Sequence, residues 1–212
     1  MKKVIDNSQL LARELIKKSF EENLQENNEE VPTNESEYRS SLNSYFEIFT
    51  SGLILKQFDL SDEELENGIV GGGNDGGCDS LYLFLNEELV LEDTAIDVEN
   101  VKRNPILDVY IIQSKFEKSF REDVFYKWKN VIENLLSLEV FQSRDFLKRY
   151  NEKVINFFER FHELYVALIT KSPTVNFRFF YASLGNQVHP NVQEQAHETE
   201  NKLREIYPSK NT

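Results

Sequence analysis

Cysteine is nearly absent. Cys78 is the one copy in 212 residues, which excludes an internal disulfide and a zinc site built from several thiolates. Long apolar runs are missing too, and none approaches the roughly 20 residues that a membrane-crossing helix needs. The opening MKKVIDNSQLLARELIKK lacks the apolar core of a secretion signal. A cytoplasmic protein without a membrane partner is the expectation. Cations are scarce in one stretch, where residues 41–100 carry 14 Asp and Glu against a single Lys. That stretch accounts for the whole net charge of −13. A net acidic chain is a poor nonspecific binder of nucleic acid, because phosphate contacts need cations. Carboxylates gathered in one segment can instead surround a divalent ion, whose charge inverts the local balance. Residues 101–172 are mildly basic, with 13 Lys and Arg against 10 Asp and Glu, so nucleic acid stays open as a partner.

What is present suits one domain with an appended arm. A 24.9 kDa chain can bury roughly 70% of the surface it exposes when unfolded. A hydrophobic fraction of 40% and 16 phenylalanines exclude a wholly disordered protein. Residues 7–24 read as an amphipathic helix with Leu10, Leu11, Leu15, Ile16 and Phe20 as its stripe, capped by Asp6, Asn7 or Ser8. The polar ENLQENNEEVPTNESE after it reads as an exposed linker, so residues 1–36 form the arm. A second helix is expected over about 37–58, with Leu42, Phe46, Phe49, Leu53 and Ile54 on one face. Ser61 and Glu64 have capping-box spacing and open a short helix that Gly68 ends.

Six of the eight glycines fall between residues 68 and 77, in GIVGGGNDGG. Such a run permits positive φ and close approach of the backbone to another group, or serves as a plain loop before a strand. CDSLYLFLN follows as a strand, NEE as a turn and LVLED as a short partner strand. LDVYIIQSKF is the strongest strand pattern. Ser119 and Glu122 have capping-box spacing ahead of a helix carrying Phe120, Val124, Trp128, Val131, Leu135 and Leu138. Phe146, Tyr150, Val154, Phe157, Phe161, Tyr165 and Leu168 define a further long helix, VNFRFFYASL a strand, and 191–207 a closing helix. The order predicts an α/β layer arrangement, a mixed sheet covered by helices.

Chemistry-bearing residues gather at two places in that order. Asp79 opens the first strand, and Gln113-Ser114-Lys115 closes a later one. Residues two apart on a strand share a face, so Gln113 and Lys115 emerge side by side. If these strands pair, a carboxylate, an amide oxygen and an ammonium converge. Mg²⁺ takes oxygen ligands, which suits Asp79, Gln113 and the Ser114 carbonyl, while Lys115 can orient water and steady charge on a phosphate. Glu47, on the helix before the sheet, is the second acidic candidate.

The string GGGNDGGCDSLYLF, followed some thirty residues later by VYIIQSKF, resembles the N-terminal region of the abortive infection phage resistance (AIPR) protein family. More broadly it is similar to the PD-(D/E)XK restriction-endonuclease-like fold, in the Mrr-like subgroup whose motif reads D…QxK. The resemblance covers roughly residues 40–205, within a nuclease domain of 37–212. It implies a three-layer domain in which Asp79 and Gln113 hold Mg²⁺ or Mn²⁺, Lys115 is the catalytic lysine and Glu47 the acid from the first helix. Cleavage of DNA, in preference to RNA, in anti-phage defence is the implied activity, and a homodimer is compatible with it. Glutamine at 113 removes a negative charge from the metal site. Members of the family generally continue well beyond this length, which implies a short form or an excised domain.

Blander readings stand beside these. Asp75 is a turn aspartate by position, Lys115 could simply end an edge strand, and Glu47 could face solvent. His162, His189 and His197 match no metal spacing and are expected at the surface. Cys78 and Trp128 are expected to fill the core. Lys118, Arg121 and Lys129 are candidates for phosphate contacts, with a solvated face as the alternative. A nuclease fold without catalysis, binding nucleic acid or protein within a larger defence protein, is a second functional reading. An acidic protein that mimics a polyanion is a third.

Overall fold

The computed structural model describes residues 7–144 and 146–207. In chain order the elements are α1 (Asn7–Glu26), α2 (Glu35–Ile54), α3 (Asp62–Asn67), β1 (Ser80–Leu85), β2 (Glu88–Leu89) and β3 (Ile106–Lys115). There follow α4 (Asp123–Val131), α5 (Leu138–Ser143), α6 (Glu152–Ala167), β4 (Thr174–Ser183) and α7 (Pro190–Ile206).

Four strands form one mixed sheet in the order β2-β1-β3-β4. β1 runs antiparallel to β2 and to β3, and β3 runs parallel to β4. Asn86 and Glu87, with φ of 51° and 72°, make the tight turn between β1 and β2. The partner strand is only two residues long, not the expected LVLED, because the chain leaves the sheet at Val90.

Alternation along β1 and β3 divides the core between two faces. Leu81, Leu83, Leu107, Val109 and Ile111 meet α4, α6 and the segment between them in the main cluster. Tyr82, Phe84, Tyr110 and Ile112 turn the other way, toward Leu55 and Leu65 at the ends of α2 and α3. Helices therefore cover both faces of the sheet. The arm is not detached: Ile16, Phe20 and Leu24 of α1 pack on Leu42 and Phe46 of α2. Their spacing of four makes one line on the helix. Leu10, Leu11 and Leu15, placed in the stripe by sequence, are exposed, and Leu53 of α2 is exposed as well. Asp6, one of the cap candidates, lies outside the described residues.

Several boundaries follow their caps. Asn34 accepts the amides of Ser36 and Glu37 at 2.9 and 3.3 Å and starts α2. The Ser61–Glu64 capping box forms, and α3 stops at Gly68. That glycine is right-handed (φ −75°), so a left-handed cap is not its reason. A Cβ there would fall 2.1 Å from the buried Tyr82 ring, and close approach excludes any side chain. The expected Ser119–Glu122 box does not form, and α4 begins at Asp123. The Ser183 hydroxyl instead donates to the carbonyls of Glu117 and Ser119, holding that connection against the end of β4. The long helix expected through Leu138 passes into a π-helical turn at Ile132–Leu136 and breaks at Ser137. α6 starts after Asn151, whose side chain accepts the Val154 amide, so Phe146 and Tyr150 precede it.

His162 corrects the surface expectation. It is buried on α6, hydrogen-bonded to the Leu135 carbonyl at 2.7 Å and flanked by Phe141 and Phe161. Burial holds its pKa below the ordinary value. A histidine inside an apolar helix pattern is core material here. His189 caps α7 through its ring, and His197 is exposed.

Candidate metal and phosphodiester site

β3 continues past the point where β1 begins. The register ends at Ser80 opposite Ile112, so Gln113, Ser114 and Lys115 have no strand on that side. Asp79, the residue before β1, fills the vacated place. Its Oδ2 accepts the Ser114 amide at 2.7 Å and the Gln113 side-chain amide, and Lys115 Nζ lies 3.5 Å from the same oxygen. Two segments more than thirty residues apart thus meet at one carboxylate. At Lys115 the β1 side of β3 is open, and the 3.5 Å approach of its ammonium to Asp79 favours a site lysine over a plain edge lysine.

The approach to Asp79 is a closed hairpin. Ile69 bridges Ser80, the Val70 amide donates to the Asp79 carbonyl at 2.9 Å, and the glycine run loops out between. Asp75 is the turn residue expected, accepting the Gly77 amide at 2.6 Å. Gly77 has φ +78° and is confined on both sides. The place its Cβ would take is 3.3 Å from Gln113 Oε1 and 3.3 Å from Lys127 Cβ. Trp128 Nε1 donates to the Gly77 carbonyl at 2.6 Å, tying the loop to α4. Cys78 is wholly buried in the same cluster as Leu81, because the chain bends at Asp79 instead of alternating.

Glu47 reaches the site from the opposite sheet face. α2 is docked by hydroxyls: Thr50 Oγ1 to Ser114 Oγ at 2.6 Å, and Ser51 Oγ to Ser80 Oγ at 2.8 Å. All three serines and Thr50 are buried, and the contacts fix the rotation of α2 about its axis. Glu47 stands one turn N-terminal to that pair, half-buried, within the electrostatic reach of Asp79, Lys115 and Asp75. The open end of β1 lets groups from both sheet faces meet.

Charge at the site is strained toward neutrality. Burial, then the neighbouring Asp79 charge, push the Glu47 carboxyl from its ordinary 4.5 up to about 7, with Lys115 opposing. Burial also raises Asp79, although Lys115 and the Ser114 amide pull the other way. Two carboxyls held above their usual range beside one ammonium is the electrostatics of a site short of positive charge. Gln113 is 1% exposed and its Oε1 has no hydrogen-bond partner. Buried amide oxygens are ordinarily satisfied. An unpaired oxygen on the side chain whose amide nitrogen holds Asp79 fits a hard divalent cation, whose ligands are oxygens. Among the described residues no cluster of three or more His, Cys, Asp and Glu forms, and the donor set here is two carboxyls and an amide.

The phosphate-contact candidates divide. Arg121 pairs with Asp123 at 3.2 Å, and Lys129 is engaged by Glu198 and by Gln195. Lys118 is exposed on the connection after β3. Sequence reasoning missed Lys127 and the four hydroxyls of Thr50, Ser51, Ser80 and Ser114. The hydroxyls had a signal: Thr50 and Ser51 interrupt an apolar stripe on α2. A cavity of about 700 Å³ opens elsewhere, over β1 and α6, and none of Glu47, Asp79, Gln113 or Lys115 lines it. No helix among the described residues is long and apolar enough to cross a membrane. No protein-family model matches the chain, and no match is found among curated proteins or solved structures.

Proposed function

We propose that this chain is a metal-dependent nuclease domain of restriction-endonuclease-like architecture that hydrolyses phosphodiester bonds in DNA. The observation that carries it is the meeting of Asp79, Gln113 and Lys115 at one buried carboxylate, with an unpaired amide oxygen alongside. Asp79, Gln113 and Glu47 hold Mg²⁺ or Mn²⁺. When bound, such an ion supplies an activated water and a counter-charge for the scissile phosphate. Lys115, about one-third exposed at its side chain, presents its ammonium where it can orient the attacking water and steady charge on the phosphate oxygens. Hydrolysis forms a bond from water oxygen to phosphorus and breaks the bond to the leaving sugar oxygen. The Ser114 amide holds Asp79 in place throughout, and the Thr50 and Ser51 hydroxyls hold α2, keeping Glu47 at the same centre.

The AIPR-like motif supports a setting in anti-phage defence in the cytoplasm. A polyanion mimic has no use for an ammonium 3.5 Å from its central carboxylate, which favours the site reading over mimicry. A catalytically silent nuclease fold is the second reading. It draws on Asp79 being satisfied already by Ser114, Gln113 and Lys115. The deciding assay incubates plasmid DNA, single-stranded DNA and RNA with Mg²⁺ or Mn²⁺, using wild type, Asp79→Ala and Lys115→Ala. Cleavage by wild type and its loss in both variants is expected. Equal cleavage by all three proteins rejects the assigned roles. Nucleic-acid affinity without divalent binding in calorimetry selects the silent fold.

A further inference from the structure

The nuclease reading leaves one electrostatic question at the site, and the inference drawn from it rests on that reading. Glu47 and Asp79 both act on Lys115, and Asp75 adds its negative charge to that of the two carboxyls. A DNA strand approaching this acidic ground brings more negative charge, and affinity for its phosphates needs cations that are not already committed. Most nearby cations are committed: Lys115 to Asp79, Arg121 to Asp123, Lys129 to Glu198.

Lys127 differs. Its side chain is exposed and forms no ion pair or hydrogen bond among the described residues. Its position is nonetheless set firmly. The next residue, Trp128, is buried and holds the Gly77 carbonyl, which ties this turn of α4 to the glycine loop. The Lys127 stem lies across Gly77, with Cβ and Cδ at 3.3 and 3.4 Å from the place of a Cβ on that glycine. Gln113 Oε1 lies at 3.3 Å from the same place, so the metal candidate and the lysine stem flank one backbone residue. Any side chain at 77 would fill the space between them.

We propose that Lys127 seats a backbone phosphate of bound duplex DNA beside the Asp79–Gln113 centre. Lys127 is a binding residue in this scheme, and Lys115 keeps the chemistry.

Fluorescence anisotropy tests this with a labelled DNA duplex in Ca²⁺, titrated across a salt series. Wild type, Lys127→Gln, Lys127→Arg and a remote control, Lys18→Gln on α1, are compared. Loss of one phosphate contact lowers the slope of log affinity against log salt by about 0.9. That smaller slope is expected for Lys127→Gln, with a severalfold loss of affinity at low salt. Lys127→Arg and Lys18→Gln are expected to keep the wild-type slope. A wild-type slope in Lys127→Gln overturns the assignment and leaves the nuclease reading standing. Failure of the wild type to bind duplex DNA at all overturns both.

Discussion

Thr50 on α2 and Ser114 on β3 share a hydroxyl–hydroxyl hydrogen bond of 2.6 Å, and the Ser114 amide is bonded to Asp79 at 2.7 Å. One residue of the central strand therefore ties the helix that carries Glu47 to the carboxylate of the site. A second bond, Ser51 to Ser80, lies beside it at 2.8 Å.

Thr50→Val keeps the shape of the side chain and leaves the buried Ser114 hydroxyl without that partner. Stability is expected to fall by about 1–3 kcal/mol, the usual cost of an unsatisfied buried group. Thr50→Val combined with Ser114→Ala is expected to recover part of this loss, since neither hydroxyl is then stranded. Urea unfolding of the cycle measures it. Strict additivity of the two substitutions would count against the coupling.

Glu47 links metal binding to pH. Its carboxyl titrates near 7 when folded, against an ordinary 4.5. Between those values the folded chain holds the proton more tightly than the unfolded chain does. Metal-free stability therefore declines as pH rises across that window. A cation bound at Glu47 must displace this proton, so apparent affinity is expected to drop by about tenfold per pH unit below 7. Thermal melts with and without Mg²⁺ at pH 5.5 and pH 8 check both signs. A larger Mg²⁺ stabilisation at pH 5.5 would falsify the role of Glu47 as a ligand.

Two glycines separate close approach from loop freedom. Gly68→Ala drives a methyl into the buried Tyr82 ring, which is held in place by the bond its hydroxyl donates to the Leu65 carbonyl at 2.7 Å. A loss of about 1–3 kcal/mol or more is expected. Gly73→Ala meets nothing within 4 Å and is expected to be neutral, or to gain up to about 1 kcal/mol through the unfolded state. Denaturant midpoints of the two variants test the contrast.

Much of this was legible in residue order. The polar end of an apolar strand, Gln113-Ser114-Lys115, marked the point where β3 leaves its neighbour, and the Ser61–Glu64 box placed α3. Both are local patterns. What escaped depended on partners distant in the chain. The Ser119–Glu122 spacing repeats that of the true box, yet Ser183 at the end of β4 takes hold of the same backbone and the helix starts later. His162 has the look of a surface residue until Leu135 and two phenyl rings enclose it. Lys127 and Lys129 are alike in sequence, and Gln195 and Glu198 on α7 distinguish them by engaging the second.

The pairing of Ile69 with Ser80 makes residues 71–77 a tethered excursion from the sheet. A change of length at the tip of that excursion is expected to leave the backbone of Asp79 in place, since the Val70 and Ser114 amides locate it, at the cost of the bonds from Asn151 to the carbonyls of Gly71, Gly73 and Asn74. No such tolerance exists across the strand partners. A slip of one residue between β1 and β3 would exchange Gln113 for a hydroxyl and turn the lysine toward the wrong side. Length is negotiable at the loop, and alignment is not negotiable at its root.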